Sequence, residues 1–571
     1  MKLKTSLILL FISSLSPTGF SQDCELPSAT YTLDVNQVSS GFDNGASLWG
    51  YWDSLYFLVP KNGYSSNIKS FLYGGIWMGG FDPGGDLRIA ASTYGASAGN
   101  NDYWSGPVVM ESTMKERCEN WDRFFTVKKS EIEIHRNQAF QFNLFNLHYP
   151  EYLIPESIKA WPAKGNPYFE NSNGFPMEGG PFTDFFDKNG NGIYEPAKGD
   201  YPAIIQKSGE PLVPDEMVFW VFNDVGGNHT ESQGDAIGAE VHAIAYAFNE
   251  PGYLDYSQFY RYKVINKSGE RLEKFRFGLW IDPEINCYHQ TMSGCDSTQS
   301  IAFYYLPDIG IPCPPFSPNK DTLPMLGIDF LGVNLSNGNY TQRPMESFTY
   351  IENPSVGNPP PAITDPQTAI EFYNYLNGLN RGGYPMENNG TYSSFAYPSS
   401  PDCTDTLNCW SMCLENKIPI VRRTIQSTGD IYLDPMEYAE IHFATLYNGD
   451  VEYPCPGTSG LLEVSDEIQD LFDSGFEPLL LSEENREEKA QVEVFPNPVQ
   501  LSGGNLKFKN LPPKSRIEIY DLDGREVWKI NSIGNSSLQL IPSGIFPKNG
   551  LYVIKIVSPS FDYQFLKLIV I

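Results

Sequence analysis

Basic residues are scarce in this chain of 571: 39 lysines and arginines stand against 69 aspartates and glutamates, and histidines number six. A formal charge of −30 repels phosphate backbones and anionic membranes, so nucleic acid is not an expected partner, whereas multivalent cations are. The same acidity also serves simply to keep an exported protein soluble. Beyond the first residues there is no apolar run near the length needed to cross a bilayer, so no transmembrane segment is expected after signal cleavage. There is no Walker A loop and no dinucleotide fingerprint, which leaves nucleotide chemistry without support. Nor is there a C-x-x-C pair. The nine cysteines, among them Cys287, Cys295, Cys403, Cys409 and Cys413, therefore read as disulfide partners rather than zinc ligands. Their odd number leaves one unpaired or pairing between chains.

What is present begins with MKLKTSLILLFISSLSPTGFSQ, two lysines before a short apolar run that ends in small residues, the layout of a secretory signal peptide over 1–21 cleaved near Ser21. Cys24 raises a lipid anchor as the lesser alternative, because the residues before it do not form a lipobox. Glycine and proline, 50 and 44 residues, punctuate short runs rich in Tyr, Phe, Val and Ile. That pattern predicts an all-β protein, a large multi-stranded β-sandwich region followed by a small Ig-like one. FLYGGIWMGGF and DLRIAASTY read as a hairpin across Asp82-Pro83-Gly84-Gly85, with further strands at EIEIHRNQAFQFNLF and SQFYRYKVIN. Helical spacing is confined to TAIEFYNYLNGL and LLEVSDEIQDLFDSGF. Residues 22–480 thus form a β-rich region, one fold or two packed subdomains, and the charged run 481–491 reads as a linker.

In 492–571, VEVFPNPVQ, SRIEIYDLDGREVWKI and GLYVIKIVS alternate apolar and polar residues, predicting strands with one buried face and turns at Pro496-Asn497-Pro498 and Asp523-Gly524. The PNP, the IYDLDGREV strand and turn, the GLYVIKI strand and the basic-apolar finish, in that order, resemble the type A C-terminal sorting domain of proteins exported by the type IX secretion system of Bacteroidota. The resemblance implies recognition by the translocon and sorting machinery, then removal of the domain or attachment to surface lipopolysaccharide, and a secreted or outer-surface location. The segments GGIWMGGFDPGGDLRIAASTY, NDYWSGP, CENWDRFFTV, DKNGNGIYEPAKGDYP, IGAEVHAIAYAF, GCDSTQSIAFYYLPD and RRTIQSTGDIYLDPMEYAEI are similar to a group of such secreted proteins with no established activity.

Several constellations are candidates for chemistry. Asp187, Asn189 and Asn191 place oxygens at positions 1, 3 and 5 of a loop, Gly192 permits a tight turn at 6, the Ile193 carbonyl stands at 7 and Glu195 at 9. This order suits a hard cation, Ca²⁺, and begins as an EF-hand does. It departs at position 12, which is Lys198, so Asp200 is the expected closing ligand; the alternative is an unliganded Asn-Gly turn. Asp282, Glu284 and Asp296, with Asp308 nearby, form a second candidate calcium cluster or a solvated acidic loop. Asp224, His229, Glu240 and His242 offer a weaker transition-metal set, since Glu240 and His242 share a strand face. Gly95-Ala96-Ser97-Ala98-Gly99 matches G-x-S-x-G but lacks a following helix. Trp49, Tyr51, Trp52, Tyr56, Trp77, Tyr103 and Trp104 read either as core or as rings for stacking on sugars. Asp53-Ser54-Leu55, Asp296-Ser297-Thr298, Asp321-Thr322-Leu323 and Asp405-Thr406-Leu407 resemble the short O-glycosylation sequon of these bacteria. Three functions follow in order of expectation: a calcium-stabilised structural or adhesive surface protein, an extracellular glycan-binding protein, and a polysaccharide or peptide hydrolase. No catalytic constellation emerges for the last, so an enzyme is the lesser expectation.

Overall fold

The computed structural model describes residues 24–50, 57–61, 70–95, 99–108, 114–144, 149–177, 183–285, 290–308, 324–354, 359–449, 451–479, 492–501, 505–509, 511, 514–522, 525–531, 539–558 and 561–571. The signal segment, the 481–491 run, Cys287, Tyr51, Trp52, Tyr56, residues 96–98, the 523–524 turn and the sequons at 53–55 and 321–323 lie outside them. The chain divides into two compact units, Met1–Phe124 with Val218–Asp466, and Phe125–Met217 with Glu467–Ile571.

The first unit is built on two large antiparallel sheets. One runs Thr30–Leu33, Ser39–Asp43, Ser47–Leu48, Phe71–Phe81, Leu272–Pro283, Arg422–Thr428 and Met345–Glu352 in hydrogen-bonded order. The other runs Met292–Asp296, Ile301–Tyr305, Met325–Leu335, Tyr438–Asn448, Gln258–Asn266, Ala239–Ala247, Glu216–Asn223 and Trp104–Ser105. Aromatic rings join their facing sides: Phe42 stacks on Trp220 at 5.5 Å, Phe71 meets Tyr304 edge-on at 5.2 Å, and Tyr262 lies 5.7 Å from Phe277. A sandwich results, as the strand-rich sequence predicts.

The predicted hairpin is present, with Phe71–Phe81 pairing antiparallel to Leu87–Ala91. Asp82 fixes its turn by accepting from the amides of Gly84 and Asp86 at 2.9 and 3.0 Å. The helix Ala369–Leu376 starts at a capping box formed by Thr368 and Glu371. It lays Phe372, Tyr375 and Leu376 on Trp77, Trp280, Ile351 and Ile425, covering the outer face of the first sheet. Each such large side chain withdrawn from water contributes about 1.5–3 kcal/mol. The second predicted helix occupies Ser459–Asp473.

One expected strand is instead a helix. Lys129–Leu144 is α-helical, because Ile132, His135 and Ala139 recur at spacings of three and four and bury one face. The Ile-Glu-Ile alternation that suggested a strand lasts too few residues to compete with it. Disulfides join Cys24 to Cys118, Cys403 to Cys409 and Cys413 to Cys455, while Cys295 is a buried thiol. Cys403, Cys409 and Cys413 are thereby held as disulfides, the reading preferred to zinc.

Residues 492–571 form a small sandwich in the second unit. Glu493–Phe495, Asn505–Lys509 and Gln539–Pro542 make a three-stranded sheet; Glu526–Asn531, Arg516–Asp521, Gly550–Ser558 and Phe561–Val570 make a four-stranded one. Leu506, Phe508, Ile517, Ile519, Ile554 and Leu568 fill the core from both sheets.

Candidate functional site: the 187–200 loop and the polar clusters

A short ladder, Phe186 opposite Tyr201 and Phe185 opposite Pro202, closes the base of the 187–200 loop. Tyr194 anchors its middle: the amide donates to the Lys164 carbonyl at 2.8 Å and the buried hydroxyl to the Ile158 carbonyl at 3.0 Å. Gly190 and Gly192 take φ of 69° and 72°, the left-handed conformation that side chains resist. The turn wraps around Asp187, whose Oδ1 accepts from the amides of Asn189 and Gly190 at 3.2 and 2.8 Å and whose Oδ2 accepts from Gly192 at 2.5 Å. Asn189 and Asn191 both donate through Nδ2 to Glu195 Oε2, at 3.2 and 2.7 Å. Glu195 thus gathers the side-chain amides of Asn189 and Asn191, while their Oδ1 atoms accept from the backbone amides of Asn191 and Ile193 at 3.1 and 2.8 Å. The residue types are those a hard cation takes, while the oxygens of Asp187, Asn189 and Asn191 are engaged by the loop's own amides.

Two features of the loop bear on that fit. Lys198, at position 12, sets its ammonium 2.6 Å from Glu195 Oε1 and, with the two asparagine amides, holds this carboxyl below the usual carboxylate range. Asp200 is buried beneath the loop, where its carboxylate accepts from the amides of Lys188 and Glu195 at 3.0 and 2.7 Å. Burial raises its pKa against those bonds. Below it His135 Nε2 meets the Asp200 carbonyl at 2.9 Å, and burial pushes the imidazole down to about 4.

The second predicted cluster is engaged in separate places. Asp282 accepts from the Tyr94 hydroxyl at 3.0 Å, and that hydroxyl in turn accepts from Arg423 Nε and Nη2 at 3.0 and 2.9 Å. Burial lifts Asp282 to about 6, although Arg423 and Tyr94 act against it. Asp296 instead closes its own turn, accepting from Thr298 and Gln299. Glu284 is buried just beyond the strand that carries Asp282.

The histidine group does not assemble as expected. Both ring nitrogens of His229 face backbone carbonyl oxygens, Ile89 at 2.8 Å and Asp224 at 2.7 Å, so neither is turned toward a metal. The Asp224 carboxylate accepts from the amides of Ile237 and Ala239 at 2.5 and 2.7 Å. Among the described residues no group of three or more His, Cys, Asp or Glu side chains is gathered as a metal site. The rings proposed for sugar stacking are core where they are described: Trp49, Trp77, Tyr103 and Trp104 are all buried.

No protein-family model matches the chain. No curated protein matches it in sequence either. Among solved structures it is similar to a polysaccharide lyase, at 10% identity and a TM-score of 0.18, over 58% of this chain and 34% of that one. It is also similar to PorZ, described as an essential bacterial surface component of the type IX secretion system of Porphyromonas gingivalis, at 9% identity and a TM-score of 0.13, over 69% of this chain and 48% of that one. The matched part thus spans about a third and about half of the two structures' lengths, and likenesses this low carry no argument about this chain.

Sequence reasoning missed a second Glu-x-His. Glu240 Oε1 lies 2.8 Å from His242 Nε2, and Glu440 Oε1 lies 3.0 Å from His442 Nε2. The strand between them sets Lys263 opposite both His242 and Glu440, and Arg261 opposite His442. Burial pushes Glu440 up, but Arg261 and His442 outweigh it and hold the carboxyl well below the usual range. The recurrence of the same spacing at 240–242 and 440–442 was the available signal.

Proposed function

We propose that this is a calcium-stabilised structural or adhesive protein of the outer bacterial surface, exported by the type IX route with residues 492–571 as its sorting signal. The observation that carries the reading is the convergence of Asn189, Asn191 and Glu195 in a loop wrapped around Asp187. Disulfides fit an oxidising exterior, and no described helix is long and apolar enough to cross a membrane. Calcium at a hundred times its dissociation constant would add about 2.7 kcal/mol to stability. Melting of the full chain with calcium and with chelator tests this: calcium should raise Tm, and Asp187→Ala should abolish the rise. No calcium response, or one that survives the substitution, rules the loop out. Deleting 492–571 in a Bacteroidota host should trap the protein in the periplasm, and continued export would refute the sorting role.

Glycan binding keeps one supporting observation. Tyr384 and Tyr392 are 70% and 66% exposed, in and beside a short hairpin pairing Met386–Asn388 with Thr391–Ser393. Rings so placed offer faces for stacking on sugars. Depletion of the protein on insoluble polysaccharide, lost on Tyr384→Ala with Tyr392→Ala, would favour this reading; released reducing sugar would point to a hydrolase instead.

A further inference from the structure

A cavity of about 390 Å³ lies where Arg276, Thr428 and Ile431 of the first large sheet approach Val333, Leu335 and Thr341 of the second. Its volume is in the range of small-ligand sites. Val333, Leu335, Pro344 and Ile431 supply apolar lining, and the charged groups are Arg276, Asp430 and Glu346. Arg276 is already committed, with Nη2 at 2.7 Å from Asp430 Oδ1 and Nη1 donating to the carbonyls of Thr428 and Leu376 at 3.0 and 3.4 Å. Among the described residues no cation pairs with Glu346. A Cβ on Gly429 would stand 2.7 Å from Glu346 Cγ, so the bare glycine is what lets the glutamate stem lie across the turn. Two carboxylates against one neutralised guanidinium leave the cavity with a net negative charge over an apolar wall.

We propose that this cavity receives the side chain of a lysine or arginine presented by a basic polypeptide. An aliphatic stem ending in a cation matches both halves of the lining, with the methylenes on Val333, Leu335 and Ile431 and the head on Glu346. The exposed strand Tyr340–Gln342, which carries the cavity residue Thr341 and pairs with Met325–Leu335, borders the cavity. The charge of −30 steers a basic chain toward the protein from a distance. None of this depends on calcium or on the export route.

The test uses the full chain with a fluorescein-labelled Gly-Ser peptide carrying three lysines and with its glutamate counterpart. The lysine peptide binds at low salt, and Glu346→Gln weakens it about tenfold, the scale of losing one close charge pair. Gly429→Ala weakens it as well by displacing Glu346, while Glu387→Gln, at an exposed carboxylate outside the cavity, leaves it unchanged. Equal losses from Glu346→Gln and Glu387→Gln would mean a diffuse field rather than a site. That result, absence of lysine-peptide binding, or equal binding of the glutamate peptide overturns the proposal; unaltered melting of the variants excludes misfolding as the cause.

Discussion

The two sandwiches of this chain bury their strands differently. In the large one, every residue of Glu216–Asn223 and of Ala239–Ala247 is buried, so these strands are covered on both faces. In the small one, Asn505–Lys509 alternates exposed and buried residues, and the strand face outside the core meets solvent. Double covering brings carboxylates into the interior as well. Asp329 is fully buried, with Ser465 Oγ donating to its Oδ2 at 2.6 Å, and burial lifts it to about 7. Glu518 of the small sandwich lies between Arg516, Lys529 and Lys555; burial pushes its pKa up, but Lys529, the Tyr520 hydroxyl and Arg516 outweigh burial and lower it. Carboxyl groups of the same kind thus shift in opposite directions according to whether cations surround them.

The comparison breaks most visibly at the large rings. Trp280→Ala, beneath the helix Ala369–Leu376, should cost about 3–5 kcal/mol in denaturant unfolding, against roughly 0.5 kcal/mol or less for Lys507→Ala on the exposed side of the small sandwich. Equal losses would mean the covering helix adds nothing. The next effect is on pH dependence. Because the folded pKa of Asp329 lies above the unfolded value, its contribution is complete below pH 3.8 and fades as pH rises through about 7. Asp329→Asn should flatten the stability profile in that window by up to about 1.4 kcal/mol per pH unit, one proton's worth. A parallel profile would show that Asp329 ionises as freely as in the unfolded chain. The smallest effect sharpens the cation loop: Lys198→Ala should tighten calcium severalfold by removing the ammonium from Glu195, and weaker binding in calorimetry would show that Lys198 instead supports the site.

How much of this was legible follows from the same difference. In Asn505–Lys509 the alternation of side chains states which face is buried; Arg516–Asp521 is likewise a strand, but Glu518 is buried between Ile517 and Ile519. Double-covered strands alternate nothing, so SQFYRYKVIN and FLYGGIWMGGF were readable through their β-branched and aromatic content and their turns. Lys129–Leu144 misled because four alternating residues preceded the longer helical period. The oxygen spacing of 187–195 was plain, since the candidate ligands are close in sequence; the inward turn of Asp200 and the pairing of Lys198 with Glu195 depend on three-dimensional closure. The cavity was invisible for the same reason, its walls coming from residues 276, 333–346 and 428–431. Trp49, Trp77, Tyr103 and Trp104 could not be sorted into surface or core because what covers each ring, such as the helix Ala369–Leu376 over Trp77, comes from distant sequence.

The Cys413–Cys455 bridge closes a loop over a connection that includes half-buried Lys417 and exposed Ile418. A protease that nicks the chain after Lys417 cuts between the bridged cysteines, so the two pieces stay covalently joined and run as one species on a non-reducing gel. Only a reductant separates them. A preparation that looks intact on a non-reducing gel or by size exclusion can therefore already be a two-chain molecule, and reducing electrophoresis tells the two forms apart.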